Sequence, residues 1–315
     1  MKILIEVPSW IGDCIMATPA IQNIIEAHPD SQIYFLGPSN SISLFKYHPN
    51  CIKLILLKKS FYEFYATVRK LEDIDIFFSF RSSFRTKFFK IFLTAKKKYQ
   101  YDKNVFNNGH QVERYCDFIN HSLCQNFSAG ELKIYLDIPP LSDKHHKTIG
   151  INPGGSYGSA KRWHPDKFIK VINQLPDDFE VIIFGNDNDA TLGSYIERNI
   201  KSATNLKVRN LCGKTSINQL CNYISQLDLL ITGDSGPMHI AAAFKIPSIC
   251  IFGPTKYKET SQWGNPNHKI IRTNLPCQPC MKRECPLGHH DCMNNIKAKE
   301  VVYEVRRFTE SEFFL

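Results

Sequence analysis

The sequence contains no apolar segment long enough to cross a membrane as a helix. Such a helix needs about 18 or more consecutive apolar residues without charge, and no run in this chain approaches that length. Glu6 and Asp13 interrupt the apolar residues near the N-terminus, so we expect no signal peptide there. Internal repeats and low-complexity tracts are absent too. The 315 residues are therefore expected to form a soluble protein of about two domains.

Two nucleotide-binding fingerprints are also missing. The pattern G-x-G-x-x-G of dinucleotide-binding folds does not occur, and neither does the Walker A pattern G-x-x-x-x-G-K-[ST]. Their absence disfavours a nicotinamide-dependent redox enzyme and a P-loop ATPase.

The charge that is present is mainly positive. Lys and Arg number 39 against 30 Asp and Glu, a net charge of +9. This excess favours anionic partners: nucleic acid, phosphorylated small molecules or an anionic membrane surface. The cysteine count of 11 is odd, and without an export signal it predicts reduced thiols in a cytosolic setting.

Short apolar, β-rich runs alternate with helical patterns along the chain, which predicts parallel sheets covered by helices on both faces. Two of the helices are predicted over 13–28 and 61–71. The polar, proline-containing stretch Asp137–Lys147 interrupts the alternation and is predicted to be a linker. The predicted domains are therefore 1–143 and 144–315. In such sheets ligands bind beyond the carboxyl ends of the strands, so the turns after strands are the candidate sites.

Three strand-to-helix turns combine glycine with small polar or charged residues: Pro8–Asp13, Asn152–Trp163 and Thr232–His239. Glycine lets the backbone approach a ligand, and the N–H groups at the start of the next helix attract anions. These turns are therefore candidates for binding phosphate. Asp13 raises a separate question, because a carboxylate in the first turn of a helix is commonly a simple cap.

The second and third turns carry the residues best suited to phosphate. Lys161 and Arg162 place positive charge beside backbone donors, as phosphate sites do, although they also fit an exposed surface pair. The third turn offers the N–H groups from Ser235 to Met238 to a diphosphate. Asp234 and Ser235 fit ordinary helix capping equally well.

At these turns the sequence resembles the bacterial ADP-heptose:lipopolysaccharide heptosyltransferases, and is most like the members that add the second inner-core heptose. The matching stretches are WIGDCIMATPA, SFRSSFRTKFF, HQVERYC, NPGGSYGSAKRW, NLCGKTSI, TGDSGPMHIAAA and CQPCMKRECPLGHHDCM, in the family's order along nearly the whole chain. The resemblance implies an α/β protein of the GT-B fold, with two Rossmann-like doubly wound domains facing across a cleft. The N-terminal domain would bind the acceptor and the C-terminal domain the nucleotide sugar, with a C-terminal helix able to pack back on the first domain.

The same resemblance implies an inverting glycosyltransferase. It would move L-glycero-D-manno-heptose from ADP-heptose to the first heptose of the inner core, on a phosphorylated heptose-Kdo-lipid A acceptor. It would work in the cytoplasm at the inner face of the inner membrane, in peripheral contact with that membrane and without a nucleic-acid partner.

The resemblance also assigns roles to residues. Asp13 would be the general base for the acceptor hydroxyl, and Lys161 would neutralise the leaving diphosphate in place of a metal. No cofactor is then needed for the chemistry. The other positions implied in binding the sugar, the phosphates, the ribose and the adenine are Ser9, Gly12, Gly154, Gly155, Asn186, Asp187, Thr215, Asp234, Ser235, Gly236 and His239.

The segment Arg81–Lys103 mixes basic residues with phenylalanines. It is interpreted as a basic amphipathic helix that lies on an anionic membrane, or as a core-facing aromatic stripe with a solvated basic face.

Four clustered cysteines have the spacing C-x2-C-x4-C-x6-C: Cys277, Cys280, Cys285 and Cys292. They could close a tetrahedral structural zinc site. The alternative is a loop with reduced thiols.

Two rival functions remain open. One is the same chemistry on Kdo or another core sugar. The other is a zinc-containing nucleic-acid-binding protein, suggested by the positive charge and the cysteines, although no recognisable nucleic-acid-reading module appears.

Overall fold

A computed structural model describes residues 1–57, 60, 66–67, 71, 73–137, 146–201 and 206–310. The chain divides into two compact units, Met1–Asp137 and Ile138–Leu315. The predicted boundary between 143 and 144 lies outside the described residues, as does most of the helix predicted over 61–71.

The first unit contains a parallel sheet in which the described strands follow the order β3-β2-β1-β4-β5. The strands are β1 Lys2–Glu6, β2 Gln32–Gly37, β3 Cys51–Leu56, β4 Ile74–Ser79 and β5 Ala95–Gln100. The helices are α1 Ile11–Met16, α2 Thr18–Ala27, α3 Ser39–Ile42, α4 Phe84–Phe92 and α5 Gln111–Leu123. From β1 the chain adds β2 and β3 on one side of the sheet and then β4 and β5 on the other side. The strand order therefore reverses between β1 and β4, which is where ligands bind in this topology.

Two local predictions in this unit need correction. The single helix expected from Asp13 onward is two helices that meet at Ala17, because Pro19 lacks an N–H and its ring would clash with the carbonyl of Ile15 in a continuous helix. The helix expected within Arg81–Lys103 covers only Phe84–Phe92. The lysine-rich residues beyond it form the edge strand β5, where exposed lysines protect the edge from pairing with another chain.

The second unit contains a parallel sheet in the order β11-β10-β9-β6-β7-β8. The strands are β6 Thr148–Asn152, β7 Glu180–Ile183, β8 Lys207–Asn210, β9 Leu229–Gly233, β10 Ser248–Phe252 and β11 His268–Arg272. The helices are α6 Pro165–Ile172, α7 Ala190–Arg198, α8 Ile217–Ser225, α9 Gly236–Ala243, α10 Tyr257–Thr260, α11 Asp291–Asn294 and α12 Ala298–Glu310. The reversal of direction in this sheet lies between β6 and β9.

The core of the second unit is formed by the apolar residues of the central strands and of the helices packed on them. Ile149, Ile151, Leu229 and Ile231 are fully shielded from solvent. Val301 of α12 belongs to the same buried cluster, so the last helix packs on its own unit. Among the described residues, no helix has the length and apolarity needed to span a bilayer.

Candidate active site

The turns after β6 and β9 meet at the reversal point of the second sheet, and Lys161 and Asp234 form an ion pair there. The Lys161 ammonium donates to Asp234 Oδ2 at 2.6 Å and to the Asp234 carbonyl oxygen at 3.2 Å. The side chains are only 16% and 8% exposed. The Thr255 hydroxyl, from the turn after β10, donates to the same carboxylate oxygen at 2.7 Å. The part-buried ammonium is therefore paired with a carboxylate that Thr255 also holds, so that residues after three strands meet here.

Behind this pair, Asn152 joins the two turns. Its amide Nδ2 donates to Thr232 Oγ1 at 3.2 Å and to Ser235 Oγ at 3.1 Å. The Ser235 hydroxyl faces this network, and it does not cap α9. Because Pro237 has no N–H and the Met238 N–H donates to the Ser235 carbonyl oxygen, the anion donors expected from Ser235 to Met238 are reduced to those of Ser235 and Gly236. His239, in the first turn of α9, is buried.

The turn after β7 lies against the glycine-rich turn after β6. Asn186 donates to Ser156 Oγ at 3.4 Å, and its backbone N–H donates to Asp189 Oδ2 at 3.1 Å. Asp189 is 1% exposed and accepts from Arg162 Nη2 at 3.2 Å. Arg162, which the sequence suggested as a phosphate ligand, thus pairs with a buried carboxylate.

The sequence analysis did not identify Asp189. In the structure, a Cβ atom on Gly154 would collide with the Asp189 carboxylate. The sequence pattern that could have indicated Asp189 is the run Asn186-Asp187-Asn188-Asp189, in which Asn186 and Asp189 form a capping box. Gly154 therefore has to be glycine to let the turn pass over Asp189.

The remaining predicted donor residues lie on the same edge of the sheet. Asp187 is exposed and adjoins Gly213 in the turn after β8. Thr215 lies two residues before α8 begins at Ile217 and is half-buried. The structure thus brings the predicted donor residues to neighbouring turns, and their individual roles stay predictions.

In the first unit, Asp13 lies in the first turn of α1 and is partly exposed. Burial raises the pKa of the Tyr115 hydroxyl, and the negative charge of Asp13 raises it further. Ser9 is exposed, and its carbonyl oxygen accepts from the Ser41 hydroxyl at 2.9 Å. Gly12 is the residue before Asp13 in the same turn of helix. The carboxylate therefore sits at the carboxyl end of β1, where the fold predicts ligand binding.

Glu6 is a second carboxylate at this strand end, and it too was missed. Only 2% of it is exposed, and it accepts from Ser79 Oγ at 2.6 Å, Thr86 Oγ1 at 3.2 Å and Arg81 Nη1 at 3.4 Å. Burial raises its pKa, against the lowering effects of those partners. The position of an acidic residue within the apolar run KILIEV could have indicated that Glu6 has a specific role. Glu6 thus orients Arg81 at the end of β4.

The four clustered cysteines line one small cavity together with Ala160, Pro254 and His290. All eleven cysteines of the chain are free thiols. Within the described ranges, no group of three or more His, Cys, Asp or Glu side chains is arranged to hold a metal ion. The zinc site stays a prediction.

Comparisons with known proteins agree with this geometry. The family described as glycosyltransferase family 9 (heptosyltransferase) matches residues 74–290. Lipooligosaccharide heptosyltransferase 2 of Campylobacter jejuni is 40% identical over 317 residues, covering 99% of each chain.

Two solved structures show the fold. ADP-heptose lipopolysaccharide heptosyltransferase II of E. coli matches with a TM-score of 0.78 and 22% identity, over 99% of this chain and 100% of that one. A family 9 glycosyltransferase from Veillonella parvula gives 0.80 and 20%, over 98% and 97%. The prediction of a GT-B protein with two Rossmann-like units is confirmed.

Proposed function

Because this chain belongs to glycosyltransferase family 9, the heptosyltransferases, we propose that it transfers L-glycero-D-manno-heptose from ADP-heptose to the first heptose of a lipooligosaccharide inner core. The observation that carries the proposal is the part-buried Lys161–Asp234 pair at the reversal point of the second sheet. It places a fixed ammonium among backbone donors, which is the arrangement a leaving diphosphate requires.

The reaction is a single displacement. The acceptor hydroxyl oxygen attacks the anomeric carbon of the heptose, the bond from that carbon to the phosphate oxygen breaks, and the electron pair leaves with ADP. Asp13 accepts the hydroxyl proton as general base. An ammonium has three N–H donors, and two of those of Lys161 point to Asp234. The third serves the diphosphate, whose charge grows as the bond breaks.

This mechanism gives a divalent cation no role in the chemistry, because Lys161 and the backbone donors supply the positive field. Zinc held by Cys277, Cys280, Cys285 and Cys292 would then be structural, with all four positions occupied by thiolates.

Transfer to defined acceptors tests the proposal. Purified protein is incubated with ADP-heptose and either heptose-Kdo-lipid A or Kdo-lipid A, and the products are identified by mass spectrometry. We expect addition of one heptose to the first acceptor only. Addition to Kdo-lipid A alone would establish the rival acceptor, and no transfer to either would refute the proposal.

The full-length match to a heptosyltransferase 2 supports the second-heptose acceptor over Kdo. The alternative of a zinc-containing nucleic-acid-binding protein loses its support, because both α/β units are accounted for by a glycosyltransferase family.

We also propose that α4 brings the enzyme to the anionic membrane that carries its lipid-linked acceptor, on the cytoplasmic side where we expect the nucleotide sugar. Phe84 and Ile91 on one face of α4 are 82% and 71% exposed, and the exposed Lys87 lies between them. Phe89 on the opposite face is buried. One face of α4 therefore packs inward, and the other offers apolar and basic groups that support the proposed contact with an anionic interface.

Sedimentation with vesicles tests this contact. We expect the protein to pellet with vesicles of anionic phospholipid, and Phe84→Ser/Ile91→Ser to reduce the bound fraction at unchanged ADP affinity. Tyr303→Ser, at a 62% exposed position of α12, is the matched control. Equal binding by both variants would refute the role of α4.

A further inference from the structure

We infer that His290, in the cysteine segment Cys277–Cys292, is a positioning residue for Lys161, and that this segment supports the turn carrying Lys161 from outside the donor site. The inference rests on the proposed role of Lys161 in binding the donor diphosphate. It gives a function to the cysteine segment, whose cysteines have no role in the proposed transfer mechanism.

The first observation is that the residue before Lys161 is held on both sides by the cysteine segment. Ala160 is 2% exposed, and its N–H donates to the Arg283 carbonyl oxygen at 3.0 Å. Its own carbonyl oxygen lies 2.8 Å from His290 Nε2. A carbonyl oxygen only accepts, so this contact makes Nε2 the protonated nitrogen of the ring. Both polar backbone groups of Ala160 are thus satisfied by residues more than a hundred positions later.

The aromatic ring beside Lys161 is held by the same segment. The Lys161 ammonium lies 4.4 Å from the ring centroid of Tyr157, a distance at which a cation is attracted to the ring face. The Tyr157 hydroxyl donates to the Met281 carbonyl oxygen at 2.8 Å. Between them Gly158 has a φ of 151°, and a Cβ there would run into the Arg283 carbonyl oxygen. This turn therefore follows the surface of the cysteine segment closely.

The other end of the segment is anchored to the turn that orients Asp234. The Met281 N–H donates to the Pro254 carbonyl oxygen at 2.9 Å, and Gln278 Nε2 donates to the Gly253 carbonyl oxygen at 2.7 Å. The next residue, Thr255, donates to Asp234. The segment consequently connects the turn that carries Lys161 with the turn that holds its carboxylate partner.

Among the described side chains of the segment, only that of His290 forms a hydrogen bond with the backbone of Ala160, the residue before Lys161. The backbone N–H of His290 also donates to the Cys285 sulfur, which holds the main chain of His290 within the segment. Without the ring, the buried Ala160 carbonyl loses its partner and the ammonium is no longer held in register with the diphosphate. A small displacement of a positioned group is enough to weaken transition-state contacts strongly.

The test compares two adjacent histidines. His290→Ala removes the contact to Ala160. His289→Ala removes a ring that contacts the backbone N–H and Oδ2 of Asp291, both within the segment. We expect His290→Ala to raise the Kd for ADP about tenfold, the worth of one buried hydrogen bond, and to lower kcat/KM by at least as much. His289→Ala should match the wild type in both. His290→Gln, whose amide N–H can donate to Ala160, should recover most of the loss.

Gly158→Ala tests the same contact from the other side, and it keeps the inference falsifiable should His290→Ala fold poorly. Its Cβ pushes the turn off Arg283, so the Kd for ADP should rise while the far-ultraviolet circular dichroism stays unchanged. Equal ADP affinity and kcat/KM in His290→Ala and His289→Ala would overturn the inference, as would unchanged affinity in Gly158→Ala. A wild-type protein that does not bind ADP would refute the proposed function itself.

Discussion

Replacing Lys161 by methionine removes one member of a part-buried ion pair and should lower both stability and donor affinity. The Thr255 hydroxyl would still donate to Asp234 Oδ2, but the Asp234 side chain, 8% exposed, would lose its cation. Breaking a buried pair by removing one partner typically destabilises by about 3–5 kcal/mol. We expect the lower end of that range, because Thr255 remains.

The double variant Lys161→Met/Asp234→Asn separates the two effects. A neutral amide at position 234 carries no unpaired charge and still accepts from Thr255, so the free energy of unfolding should return to within about 1 kcal/mol of the wild type. ADP binding should not return, because a hydrogen bond to a charged group contributes about 1.5–3 kcal/mol. That corresponds to a loss of roughly 10- to 150-fold in affinity.

Urea unfolding gives the stabilities, and isothermal titration calorimetry gives the ADP affinities. Lys167→Met is the control, since the Lys167 ammonium donates to three carbonyl oxygens at the end of α11, at 3.0, 2.7 and 2.8 Å. It should lower stability and leave the Kd for ADP unchanged. A double variant that binds ADP like the wild type would show that Lys161 serves only to neutralise Asp234, and the proposed donor role would be wrong.

Three further outcomes are expected. Asp13→Asn should leave ADP affinity within twofold and lower kcat by about a hundredfold or more, as loss of a general base does; a kcat within a few-fold of wild type would reduce Asp13 to a residue of the helix start. Burial raises the pKa of Glu6 above 4.5, so the folded protein keeps this proton longer than the unfolded chain does, and stability falls as pH rises from that value. Glu6→Gln should flatten this slope in urea unfolding, and identical slopes would contradict the assignment. If the four clustered cysteines hold a structural zinc, brief chelation should lower the melting temperature and spare activity; activity that vanishes at once and returns with magnesium would contradict a metal-independent transfer.

The sequence predicted the strands that lie inside the sheets better than those at their edges. KILIE and LLITG are continuous apolar runs because both faces of a central parallel strand are buried. The edge strands AKKKYQ and HKIIR carry lysine and arginine, so their composition resembles that of a loop or a surface helix. Edge strands of this kind can be identified only from their pairing.

The site shows a similar division. The turns containing Lys161 and Asp234 were predictable, since glycine and charge at a strand end form a local pattern. The pairing of Arg162 with Asp189 and the contact of Ala160 with His290 were not, because each depends on how distant segments pack. A local pattern indicates which turn binds a ligand, whereas tertiary packing decides which of its side chains face that ligand.

A carboxylate, Asp234, lies inside a proposed diphosphate site, where a negative charge should weaken binding of ADP. This arrangement is consistent with the need of a transferase to release ADP after the chemical step. An unpaired buried ammonium would bind ADP more tightly, but it would also lower the free energy of the product complex and slow ADP release, which limits turnover in many enzymes. With Asp234 at 2.6 Å, the pair carries little net charge of its own. Its orientation is already set by Thr255 and by the Tyr157 ring, so little reorganisation is needed as charge develops on the leaving diphosphate. In the proposed mechanism the pair would therefore favour the transition state over the bound product, as catalysis requires.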